Sequence, residues 1–139
     1  MCVSKGTYYE VHLFWMEDDT AFVKKIDNCG LFVSEKITDT SIYDFVNENF
    51  AALKENEVKK YKSDAFTGEP QLRAGVQPCS RAFFFTNGTE TFHKKYNLFD
   101  VSNDSEGKNL NYDYNQSLQL VQLNTTMEEL INSVTFNRQ

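Results

Sequence analysis

Asn87-Gly88 stands between two runs of strand-forming residues, Arg81-Ala82-Phe83-Phe84-Phe85-Thr86 and Thr89-Glu90-Thr91-Phe92-His93-Lys94-Lys95. An Asn-Gly pair tolerates positive φ at both central positions of a type I′ turn, whose twist matches that of the flanking strands. The stretch therefore predicts a tight antiparallel hairpin. Its Phe83-Phe84-Phe85 run puts aromatics on both faces of one strand, which requires cover on both sides or leaves one sticky face; a central, covered strand is the expectation.

The N-terminal third repeats this grammar. Residues 7–16 alternate, with Tyr9, Val11, Leu13 and Trp15 on one face and Tyr8, Glu10, His12, Phe14 and Met16 on the other. Period two predicts a strand, and bulk on both faces predicts a central one. Glu17-Asp18-Asp19-Thr20 reads as a solvated turn into a strand over 21–27, and Asn28-Cys29-Gly30 turns into a third over 31–37, giving an antiparallel meander. Thr38-Asp39-Thr40-Ser41 supplies N-cap oxygens ahead of Ile42, Phe45, Val46, Phe50 and Leu53, whose spacing predicts an amphipathic helix of about four turns.

Between 63 and 80 neither period survives, and both prolines, Gly68, Gly75 and Arg73 fall there, so a long irregular loop is expected. After the hairpin, 96–101 extends the second strand or begins another, 102–109 is a polar loop, and a last strand runs from Leu110 or Tyr112 to Leu123. Thr125-Thr126-Met127-Glu128 reads as a capping box opening a short closing helix with Met127, Leu130, Ile131 and Val134 inward. The order is βββα, loop, βββ(β)α: one α+β domain over 1–139, a mostly antiparallel sheet of six or seven strands carrying two helices.

At 139 residues and 40% apolar, with 12 Phe and 7 Tyr, the chain is long and hydrophobic enough for one core. Its net charge of −6 repels phosphate backbones and anionic lipid, and no run approaches the length of a membrane helix, so neither nucleic acid nor a membrane is the expected partner. Cys2, Cys29 and Cys79 are odd in number and lack CxxC spacing, which points to neither a disulfide framework nor a zinc site and thus to a cytoplasmic protein. The sequons at Asn87, Asn103, Asn115 and Asn124 supply an extracellular alternative, for a chain whose leader has been removed. Eleven Lys against three Arg, together with 13 Asn, point to AT-rich coding, as in low-GC bacteria, their phages or some protists.

Groups able to titrate or attack are few. His12 reads as a hydrogen-bonded packing residue of its strand, His93 as a solvated hairpin residue, and Cys79-Ser80-Arg81 matches no nucleophile signature. No metal-ligand spacing and no Gly-rich phosphate loop is present, so no enzyme activity, no metal and no cofactor are expected. Binding surfaces carry more. Arg is the uncommon cation here, and Arg73 and Arg81 bracket the end of the irregular loop beside Phe83 and Phe85, where a planar fork binds carboxylate or phosphate and stacks on rings. Tyr112 and Tyr114 share a face of the last expected strand among Asn, Asp and Gln, a composition of recognition surfaces. In general character the chain resembles the small inhibitor, immunity and anti-defence proteins of bacteria and phages. The expected function is non-catalytic binding of a protein partner. The alternatives are sequestration of a small anionic molecule, a nucleotide or carboxylate metabolite, and a secreted or surface glycoprotein domain.

Overall fold

The computed structural model describes residues 9–64, 80–103 and 107–139. Most of the expected loop at 63–80, with Arg73, and also Cys2, Cys79 and the first residues of the first strand, lie outside the described residues. The fold is α+β with antiparallel sheets, and the chain forms two compact units, one of residues 1–48 with 125–139 and one of residues 49–124. Where a single sheet of six or seven strands and two helices is expected, the described residues form a four-stranded sheet, a separate two-stranded sheet and four α-helices.

In the first unit, β1 (Glu10–Glu17) pairs antiparallel with β2 (Thr20–Asp27), Glu17 opposite Thr20. The two residues between them, Asp18 and Asp19, both adopt positive φ (48° and 64°), the I′ geometry that Asp tolerates because its short side chain bonds locally. The third expected strand is interrupted: β3 (Gly30–Leu31) and β4 (Glu35–Ile37) each pair with β2, and between them Phe32 bridges to Arg138 of the C-terminal segment. The β2–β3 turn is closed by Asp27, whose carboxylate accepts from the Cys29 amide at 2.9 Å. Among the described residues β1 is therefore an edge strand, contrary to its expected central place. The bulk on its two faces has a different explanation, given below.

One sheet face is covered. Ala21 and Val23 are buried there, Ile42 is the buried residue of α1 (Ser41–Glu48), and Tyr43 of that helix edges against Phe14 while its hydroxyl donates to the Phe22 carbonyl at 2.7 Å. Burial pushes the Tyr43 hydroxyl up to about 12. Asp39 accepts from the Ser41 amide, and the Thr40 carbonyl accepts the first helical bond from Asp44, so the start of α1 lies where the cap residues place it. From the C-terminal segment, Phe136 packs on His12 and edges Phe32, while Arg138 pairs with buried Asp27 at 3.0 Å and lies 4.3 Å over the Phe32 ring.

These contacts set a pH dependence. His12 is a packing residue, but its Nε2 is buried with no hydrogen-bond partner among the described residues, and burial holds its pKa below 6.5, with Glu10 opposing and Lys25 reinforcing that shift. Because the folded pKa is the lower one, stability is full above about pH 6.5 and falls as acidification protonates the unfolded chain first. Asp27 is held below its ordinary value by the Arg138 hydrogen bonds, so its contribution is present above about pH 3.9 and lost as pH falls further. We expect denaturation midpoints to decline in two steps on acidification, and His12→Phe to abolish the upper step. Parallel curves for the two proteins between about pH 7 and about pH 5 would contradict the assignment.

In the second unit, β5 (Ser80–Asn87) and β6 (Glu90–Asn97) form the expected hairpin, with the turn one residue late: Asn87 pairs with Glu90, leaving Gly88 and Thr89 central and positive φ (59°) at Gly88 alone. The shift moves the register by two, so every side chain keeps its face, and it sets Phe85 opposite Phe92, whose rings stack at 4.8 Å. A Cβ at Gly88 would meet nothing within 4 Å, so the cost of a substitution there is backbone strain. Gly88→Val should lower stability by about 1–2 kcal/mol and Gly88→Asn by distinctly less, as read by thermal melting. Equal melting temperatures for the two variants would speak against the positive φ.

Two elements differ in kind from expectation. The four-turn helix is split at Asn49, with α2 (Phe50–Glu55) following α1. The last strand is helical: α3 (Tyr112–Gln116) precedes α4 (Gln119–Ser133), which starts well before the expected capping box. Leu118 and Leu120 fit period two, whereas Leu120, Val121 and Leu123 fit helical spacing; α4 buries those three, and Leu118 is buried just ahead of it. Residues 119–124 of α4 belong to the second unit and 125–133 to the first.

The second unit also gives Asn109, Asn111 and Asn115 a structural role. Residues 56–64 run without helix or strand, apart from a bridge at Ser63, and part of their backbone is met by side-chain amides. Fully buried Asn115 accepts from the Lys59 amide (2.8 Å) and donates to the carbonyls of Lys59 and Asp100. Asn109 accepts from Lys62 N–H and donates to the carbonyls of Asp100 and Ser102, Asn111 donates to the Lys60 carbonyl, and the Asp100 carboxylate accepts from Tyr61 N–H. Each asparagine offers donor and acceptor together, which is what an unpaired peptide group needs.

Candidate interaction surface

The strand register places Val11, Leu13 and Trp15 of β1 beside Ile26, Lys24 and Phe22 of β2, with Leu31 next to Ile26 and Lys36 next to Phe22. This is the face of the sheet opposite to buried Ala21 and Val23. Val11 is 43% exposed, Leu13 45% and Leu31 47%, and the stacked Trp15 and Phe22 rings, 5.5 Å apart, are half-buried. A soluble sheet ordinarily turns polar residues outward in strict alternation. Here alternation holds in geometry and fails in chemistry: apolar side chains occupy both faces, and one set remains open. An exposed apolar patch carrying charge, here with Lys24 opposite Leu13 and between Phe22 and Ile26, is the usual mark of a contact surface. The bulk on the 9–15 face carried that signal in the sequence, where it was read as double-sided burial.

The residues singled out from the sequence fall elsewhere. Arg73 is outside the described residues. Arg81, Phe83 and Phe85 share the inner face of the hairpin, the two rings buried with Tyr96, and the Arg81 guanidinium donates to the Ser80 carbonyl. The open member of the run is Phe84, 79% exposed beside His93. Tyr112 and Tyr114 stand on a helix, where residues two apart point to different sides, so they do not form the shared face expected of a strand. Tyr114 lies under the Lys59 ammonium at 4.0 Å.

Hollows open to solvent occur in each unit among the described residues. One of about 310 Å³ is lined by Val58, Lys60, Lys95, Tyr96, Asn97 and Asp100, where Lys60 is already 3.5 Å from the Asp100 carboxylate. The other, about 590 Å³, lies in the first unit between the 35–39 segment and residues 130–137. Among the described residues no three His, Cys, Asp or Glu are arranged to hold a metal ion, and no helix is long and apolar enough to cross a membrane. Cys29 is disulfide-bonded, contrary to the expectation drawn from cysteine spacing, because pairing is set by distance in space. The chain matches no protein-family model, no curated protein and no solved structure.

Proposed function

We propose that the chain is a non-catalytic binding protein that engages a protein partner through the open face of its four-stranded sheet. The observation carrying this reading is the apolar strip Val11, Leu13, Trp15, Phe22, Ile26 and Leu31 on that face. Lys24 lies among these residues, opposite Leu13, and Lys36 beside Phe22, so the partner that fits presents apolar side chains with carboxylates set among them. Such a surface acts by occupying its partner, the mode of a small inhibitor.

A carboxylate introduced at the centre of the strip tests it. Leu13→Asp should retain the wild-type melting temperature within a few degrees, because the side chain is already half in water, and should weaken partner binding by more than tenfold. Phe84→Asp, on the hairpin of the other unit, is the control. Equal capture of a dominant partner by wild type and Leu13→Asp would reject this surface, and loss with Phe84→Asp alone would move it to the hairpin.

A further inference from the structure

Two observations, one in each unit and neither involving the sheet face, bear on how this chain is matured. Cys29 is disulfide-bonded, and a persistent disulfide belongs to an oxidising compartment. The four sequons, indistinguishable in the sequence, become unequal in the fold. Asn115 is 0% exposed, and its Nδ2 donates to two carbonyls, so a glycan there has no room and removes a buried donor. Asn124 is half-buried within α4. Asn103 uses its Oδ1 to accept from the Asn109 amide, and the hydroxyl residue of its sequon, Ser105, lies outside the described residues. Asn87 differs from all three: it ends β5 at the hairpin turn, and Asn87, Gly88 and Thr89 are all exposed.

We propose that Asn87 is an N-glycan acceptor and that the chain matures in a compartment that both oxidises thiols and glycosylates. In the transfer, Asn87 Nδ2 forms a bond to the anomeric carbon of an oligosaccharide carried on a lipid pyrophosphate. The bond from that carbon to the pyrophosphate oxygen breaks, and the amide proton leaves with the lipid pyrophosphate. In the disulfide, two thiols lose two electrons and two protons to a thiol oxidase. The turn geometry accommodates a glycan without rearrangement, since Asn87 keeps extended backbone as the last paired residue of β5 and its side chain is in solvent.

The test uses the full chain recovered from the cells that make it. Alkylation before and after reduction reports Cys29, and peptide N-glycosidase digestion in ¹⁸O water converts each glycosylated asparagine into labelled aspartate. The expected result is label at Asn87 well above that of a parallel incubation without the glycosidase, since Asn-Gly also deamidates unaided, none at Asn115, and Cys29 alkylated only after reduction. Absence of label at Asn87, label at Asn115 in folded protein, or a Cys29 thiol open to alkylation without reduction would each overturn the proposal. In a eukaryotic secretory host, Asn87→Gln and Thr89→Ala should each remove one glycan mass and leave the melting temperature within a few degrees of the deglycosylated protein. Retention of the full glycan mass in both would place the acceptor at another sequon and defeat the assignment.

Discussion

Replacing Asn115 by alanine is expected to destabilise the second unit by about 3–5 kcal/mol, a large part of the stability of a domain this size. The side chain is fully buried, accepts from the Lys59 amide and donates to the carbonyls of Lys59 and Asp100. Truncation leaves three backbone groups without those partners in a place water does not reach, at about 1–3 kcal/mol for each group left unsatisfied, partly relieved by rearrangement. Asn111→Ala is the matched control. Its amide donates to the Lys60 carbonyl at the surface, where water replaces it, so the loss should stay below about 1 kcal/mol. Urea denaturation of the two variants decides the matter, and losses of equal size would show that the buried amide does not hold residues 56–64 in place.

Phe50→Ala should cost about 3–5 kcal/mol by the usual penalty for truncating a buried ring. Phe50 is buried and meets Phe92 edge to face at 5.0 Å, and Phe92 in turn stacks on Phe85. Removing it opens a cavity at one end of that aromatic row, and neighbouring rings in fixed stacking cannot collapse into it without giving up their own geometry. Phe45 sits on the same periodic stripe in the sequence but is only half-buried in the fold, so Phe45→Ala should cost clearly less. If calorimetry gave the two alanine variants the same melting temperature, the exposure difference between these phenylalanines would be without energetic meaning.

The two phenylalanines show how far periodicity reaches. Spacing of three and four identified the stripe, yet it could not divide the stripe between α1 and α2, because the spacing itself continues through the break at Asn49. At 110–123 the same limit produced an error of type. Leu118 and Leu120 satisfy period two while Leu120, Val121 and Leu123 satisfy helical spacing, and over so short a run the choice is made by the core that receives them. In the sequence the asparagine count points only to codon usage. Its structural role appears only when residues 56–64, remote in sequence, are laid beside 100–115.

What the sequence determined by itself is local: the Asp18-Asp19 turn, the hairpin around Gly88, the start of α1 behind Asp39 and Thr40, and an α+β content with antiparallel strands. These follow from φ preferences and hydrogen bonds within a few residues, which act whatever the rest of the chain does. Tertiary structure decided which face of β1 was covered, which of four sequons stood open, whether Tyr112 and Tyr114 shared a side, and that Cys29 was oxidised. Each of those depends on a partner far away in sequence, and alternation, spacing and composition are blind to distance in space.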